Sequence, residues 1–231
     1  MTCLHGFLGL PSDWDVIPCT AGAHKVDWMP VLAGLPGDLG DPALPALAEA
    51  LNAQVPGDVL LGYSMGGRIA MHMLLAKGGA RWRHAVIVSA SPGLPPALRT
   101  ERLALDHTWA ERFRNDPWVD VTKLWNDQGV FAKDGPSPLA RNEADFRRDH
   151  LALALTRGSV ADQEDLREAL AGLQTPICWI AGERDTKYAA AARECVTLNP
   201  RFRCEILRDA GHRAPWTAPR NFCAMLEGLA I

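Results

Sequence analysis

The 231 residues are 48% hydrophobic and 22% charged with a net charge of -3, the balance of a soluble chain large enough for one well-buried core. No block of like charge offers a surface for nucleic acid or an anionic membrane, and no apolar run approaches the roughly 20 residues that span a bilayer. The start, Met1-Thr2-Cys3-Leu4-His5-Gly6, lacks the basic and apolar regions of a secretory signal, and six scattered cysteines without a C-x-x-C pair read as small buried hydrophobes of a reducing cytoplasm, not zinc ligands.

In chain order, Thr2 to His5 is a short extended run that ends in the loop His5-Gly6-Phe7-Leu8-Gly9. Ser12 or Asp13 caps a short helix through Trp14 and Ile17. Val26 to Met29 is a weak strand before Pro30. A helix starts at Asp41-Pro42 and runs to about Ala53. Asp58 to Tyr63 is a strand, Met65 to Lys77 a helix stopped by Gly78-Gly79, and His84 to Ala90 a β-branched strand ended by Ser91-Pro92-Gly93.

From Leu94 to about Leu173 the strand signal vanishes. Helix-period spacing, broken near Asp116-Pro117 and Gly135-Pro136, predicts three to five helices. Strands return at Pro176 to Ala181 and Arg203 to Leu207, around a helix near Ala189 to Leu198, and a last helix runs from about Ala218 to Leu229. Strands alternating with helices at both ends predict an α/β fold, a mostly parallel sheet with covered faces. Residues 1–93 and 174–231 then form the core, and 94–173 a helical lid over the carboxyl edge of the sheet, where such folds place their sites.

Gly62-Tyr63-Ser64-Met65-Gly66 is the most informative stretch. It lies between the strand Val59-Leu60-Leu61 and a helix, the context in which G-x-S-x-G makes a nucleophile elbow. A serine nucleophile needs a base and an orienting acid, in chain order Ser…Asp/Glu…His. Asp185 follows the strand through Ala181, and His212 lies 27 residues further on, in Asp209-Ala210-Gly211-His212. His212 is then the base for Ser64, and Asp185 holds its imidazole. Glu183 and Asp209 are competing acids that sit less well at the strand exit. The backbone N–H groups of Phe7 and Met65 are the expected oxyanion donors, and His5 braces its loop.

The whole chain resembles the α/β-hydrolase superfamily and, within it, the menaquinone-pathway branch of 2-succinyl-6-hydroxy-2,4-cyclohexadiene-1-carboxylate synthases. Gly62 to Met71 is similar to the branch's G-Y-S-[LM]-G-G-R-[VI]-A-M. Ser91-Pro92-Gly93-Leu94 with Glu101-Arg102 and Trp109, Trp125 to Ala132, Gly182 to Tyr188 and Ala210-Gly211-His212 resemble its other segments. The resemblance implies a lyase that eliminates pyruvate from an open-chain polycarboxylate precursor to leave a ring diene, with Ser64 serving to abstract a proton beside a carbonyl. It also implies substrate contacts from Arg68, Arg102, Tyr63 and Trp125, and from Arg147 or Arg148 as a third arginine. Arg184 and Lys187 are read as structural. Arg suits such a substrate because its planar fork pairs with carboxylates, although residues 94–170 as a whole carry 11 Arg/Lys against 14 Asp/Glu.

Two features depart from the branch. Two strands that usually open the fold are missing, which leaves the Val26–Met29 strand as a sheet edge, shielded by Pro30 and Asp27 or paired in an edge-mediated homodimer. Leu35-Pro36-Gly37-Asp38-Leu39-Gly40 stands where the branch has D-L-P-G-H-G. The rival reading is a serine hydrolase of a small ester, thioester or carbon–carbon bond with the same triad. A non-catalytic binding protein would have lost a triad member, and all three are present. Neither enzyme reading implies a metal or organic cofactor, and both place a monomer or such a dimer with a small anionic or ester substrate in the cytoplasm.

Overall fold

The computed structural model describes residues 1–38, 42–135 and 137–229. Its strands are β1 (Thr2–Leu4), β2 (His24–Val26), β3 (Val59–Tyr63), β4 (His84–Val88), β5 (Ile177–Gly182) and β6 (Arg203–Leu207). They form a single parallel sheet in the order β2-β1-β3-β4-β5-β6. The helices are α1 (Met29–Ala33), α2 (Leu44–Gln54), α3 (Met65–Leu75), α4 (Pro96–Asn115), α5 (Trp118–Asn126), α6 (Arg148–Arg157), α7 (Arg167–Ala171), α8 (Thr186–Cys195), α9 (Ala214–Thr217) and α10 (Pro219–Gly228).

Apolar strands that face helices on both sides bury every residue, and period-2 alternation sends successive side chains to opposite cores. Leu60, Ala85, Ile87, Ile177 and Trp179 enter the core beneath α1–α3 and α8, whereas Leu61, Val86, Val88, Cys178 and Ile180 enter the other, with Trp14, Trp216 and Phe222. In α2, Leu44, Leu47, Ala48 and Leu51 repeat at helical spacing and are the buried face. Asp116 ends α4 in an extended conformation because Pro117 follows.

Several expected bounds shift. The strand expected at Val26–Met29 is His24–Val26 instead. Trp28 buries its indole and donates from Nε1 to the His5 carbonyl at 3.0 Å, and Pro30 then opens α1, since its fixed φ suits a first helical turn. The turn near Trp14 is a 3-10 helix, Pro11–Val16. The expected helix start at Asp41, the end of the Leu35–Gly40 loop and Pro136 lie outside the described residues. β2 is an edge of only three residues carrying Lys25, and short charged edges resist pairing. Cys19 and Cys223 form a disulfide, which corrects the reading of all six cysteines as free thiols; Cys3, Cys178, Cys195 and Cys204 are free.

The sheet's carboxyl edge collects the loops that matter. Hydrogen bonds from Ser64 N to Val88 O (2.8 Å), Ser89 N to Ile180 O (2.8 Å) and Glu183 N to Leu207 O (2.9 Å) carry the strand pairing just past the ends of β3, β4 and β5. Helices α4 to α7 lie in the chain between β4 and β5.

Candidate active site

Ser64 sits between β3 and α3 with φ 52° and ψ -114°, a left-handed conformation that a non-glycine residue holds only under tight constraint. The turn closes because its flanking glycines have no side chains. A Cβ on Gly62 would stand 2.4 Å from the Gly66 carbonyl oxygen, and one on Gly66 2.4 Å from that of Leu4. The sharp reversal leaves Ser64 half-buried at the carboxyl edge of the sheet.

His212, on the loop after β6, reaches Ser64 Oγ from Nε2 at 3.2 Å. Its Nδ1 lies 2.7 Å from Asp185 Oδ2, and both side chains are buried. Asp185 follows β5 at the N-cap position of α8, where its side chain makes no cap and turns to His212 instead. This geometry fixes the tautomer: Nδ1–H donates to the carboxylate, and Nε2 accepts from the serine hydroxyl. The competing acids turn elsewhere. Asp209 pairs with Arg184 at 2.7 Å on the surface, and Glu183 accepts the Asp209 N–H. Tyr63, Phe131 and Tyr188 pack their rings around the His212 imidazole with centroids 5.5, 5.6 and 4.7 Å away.

The loop expected to carry an oxyanion donor is braced by His5. His5 Nδ1 lies 2.8 Å from the Gly6 carbonyl and its ring stacks on Trp28. Burial lowers the His5 pKa to about 4, so the ring is neutral and Nδ1–H is the donor. Met65 opens α3, where a helix leaves its amide without an internal acceptor. Phe7 lines the chamber beside Ser64 and Met65.

That chamber, about 80 Å³, is walled by Ser64, Phe7, Met65, Arg68, Arg102 and Trp125, with Lys187, Tyr188, Leu155 and Val160 closing it. Arg68 is buried one turn past Ser64 and donates to Gln163 Oε1 at 3.4 Å. Burial, then Arg102, lowers its pKa to about 10, so it stays charged at neutral pH. Arg102 is anchored by both oxygens of Asp106 at 2.9 Å. The expected third arginine is not here. Arg147 is exposed, and Arg148 is held by Glu143 and the Phe113 and Asp116 carbonyls. The third cation that lines the chamber is Lys187, at the start of α8 two residues past Asp185; its side chain is exposed at the rim, with Nζ over the Tyr188 ring. Tyr63 lines a different, adjoining cavity. No group of His, Cys, Asp or Glu among the described residues could hold a metal ion.

A parallel sheet with a serine elbow, an acid and a histidine at its carboxyl edge defines an α/β-hydrolase. The profile described as the alpha/beta hydrolase family matches residues 3–225, and the chain belongs to that family. Within it, the chain is 33% identical over 225 residues to the 2-succinyl-6-hydroxy-2,4-cyclohexadiene-1-carboxylate synthase of Salmonella newport, covering 91% of this chain and 85% of that enzyme. The same fold is seen in MenH from S. aureus, with a TM-score of 0.80 at 20% identity over 98% of this chain and 91% of that one. It is also seen in a structure from a study of carboxylesterases of the thaumarchaeon Nitrososphaera, with a TM-score of 0.71 at 13% identity over 99% and 88%.

Proposed function

We propose that this chain is a carbon–oxygen lyase of the menaquinone pathway, which eliminates pyruvate from a polycarboxylate precursor to give 2-succinyl-6-hydroxy-2,4-cyclohexadiene-1-carboxylate. The observation that carries this reading is the set of cations around the nucleophile: Arg68, Arg102 and Lys187 share the chamber with Ser64. A neutral ester needs none of them, whereas a substrate with several carboxylates needs fixed positive partners. The 33% identity to a synthase of that name supports the same reading.

In this mechanism Ser64 gives its proton to His212 Nε2, and Asp185 stabilises the imidazolium. The serine oxygen takes the proton beside the substrate carbonyl. Negative charge then gathers on the carbonyl oxygen, between the Phe7 and Met65 amides, each donor being worth about 3 kcal/mol in a transition state. An elimination forms no carbon–carbon bond, so the precursor already carries its ring and is not an open chain; the electron pair returns through that ring as the carbon–oxygen bond to the leaving group breaks. The departing enolate takes up one proton and becomes pyruvate, so no oxidant or cofactor enters the balance.

The test supplies the precursor, made in situ by the preceding enzyme, and follows pyruvate. Fast release is expected, lost by about 10³-fold or more in Ser64→Ala, with KM rising about tenfold or more in Arg68→Gln. Release no faster than the spontaneous rate, with Ser64-dependent cleavage of p-nitrophenyl acetate, would replace the lyase by a hydrolase.

A further inference from the structure

A second, smaller cavity of about 40 Å³ adjoins the Ser64 chamber, and the two share Phe7 and Trp125 in their walls. Tyr63, Trp216, Arg141 and Arg213 line the smaller one. His212 stands at the seam: its Nε2 meets Ser64 of the first chamber, while its ring faces Tyr63 and Phe131 of the second.

The two arginines differ in their partners. Arg141 is neutralised by Asp13, which it grips with two nitrogens at 2.9 and 2.7 Å. Arg213 is 7% exposed, and its side-chain partners are neutral: the Asn126 amide oxygen and the Phe131 ring, 3.9 Å from the guanidinium carbon. Its Nη1 has no hydrogen-bond partner. The nearby Asp134 carboxylate accepts the Arg213 backbone N–H at 3.0 Å and favours the guanidinium charge through space, without accepting a guanidinium hydrogen. A buried cation whose hydrogen-bond partners are all neutral is costly unless an anion completes its hydrogen bonding.

We infer that this cavity is a second anion subsite, which takes a small monocarboxylate on Arg213. Resting on the elimination proposed above, its occupant is the pyruvate leaving group. That reaction divides one polyanion into two anions, and the site is divided in the same way. Arg68, Arg102 and Lys187 face the larger product, Arg213 the smaller, and the acid–base pair lies between. Arg213 carries this role, and Arg141 shapes the wall.

Pyruvate itself is the probe. Trp125 and Trp216 line the cavity, so tryptophan fluorescence reports its occupancy without turnover. Sodium pyruvate is titrated at constant ionic strength, against sodium chloride, into the unaltered protein, Arg213→Gln and Arg68→Gln. Saturable binding is expected in the unaltered protein and in Arg68→Gln, at least tenfold weaker in Arg213→Gln. Affinity that falls in Arg68→Gln but not in Arg213→Gln overturns the subsite, as does the absence of saturation in the unaltered protein at tens of millimolar. Should Arg213→Gln fail to fold by circular dichroism, Arg213→Lys carries the test: the lost fork should weaken binding at least threefold, and unchanged affinity overturns the inference. Pyruvate release from the precursor without Arg213-dependent binding keeps the reaction and removes the subsite. Arg213-dependent binding without release keeps the anion site and removes the reaction.

Discussion

His5 and His72 are buried imidazoles outside the Ser64–His212–Asp185 cluster, and they govern how the protein answers acid. Burial lowers the pKa of each to about 4, with Arg68 also acting on His72. Between the unfolded value near 6.5 and the folded value near 4, the unfolded chain binds protons that the native state refuses. Stability is therefore kept above about pH 6.5 and falls as the pH drops through that window, and between pH 7 and 5 each histidine costs about 2 kcal/mol. Urea unfolding at pH 7 and 5 should show the loss, and His72→Gln should remove about half of it. An equal loss in that variant would take His72 out of the account. The same scale explains Ser64: its left-handed backbone is tolerable because Gly62 and Gly66 let the strand and helix approach to within contact of their backbones.

At the scale of elements, the Asp13–Arg141 pair ties the 3-10 turn Pro11–Val16 to the segment that follows α5, across 128 residues of chain. Asp13 is buried, and burial raises its carboxyl pKa despite Arg141. An ion pair of this kind adds little net stability while intact, but removing one partner leaves a buried charge uncompensated. Arg141→Met should therefore destabilise the fold by about 3 kcal/mol at pH 7. Asp13→Leu added to it should recover most of that, a recovery read from the denaturation midpoint. If the single variant is as stable as the parent, the pair does not join these elements in solution. α5 works by a similar logic. Trp118 and Val121 anchor it, which leaves Trp125 half buried at the wall that both cavities share.

The whole molecule is closed by a long-range link, since Cys19 in the 3-10 turn Pro18–Thr20 is bonded to Cys223 in α10, 204 residues away. Closing so long a loop removes freedom from the unfolded chain, typically worth about 2–4 kcal/mol. A non-reducing peptide map should recover one linked pair of peptides and four free thiols, and dithiothreitol should lower the unfolding free energy by that amount. Six alkylated cysteines without reductant would dismiss the link. Among the described residues no helix is long and apolar enough to cross a membrane.

The residues by themselves determined the alternation of strands and helices, the elbow, the triad candidates and their order, because each is encoded within a few neighbours. The apolar run, the glycines and the serine of Gly62–Gly66 impose their own geometry, and Asp185 and His212 stand just past strands whose ends are visible in the pattern. The weak Val26–Met29 strand misled because Trp28 answers to a long-range partner, the His5 carbonyl, and not to its own neighbours. The third arginine was misplaced for the same reason: Arg148 has the right charge, but acceptors from α4 and Glu143 take it up. Only the tertiary structure decided that Lys187 lines the same cavity as Ser64, that Tyr63 and Arg213 wall a second cavity, and that Cys19 meets Cys223. Those facts depend on which side chains of distant elements converge, and a charge or a thiol looks the same in the chain whichever neighbour the fold provides.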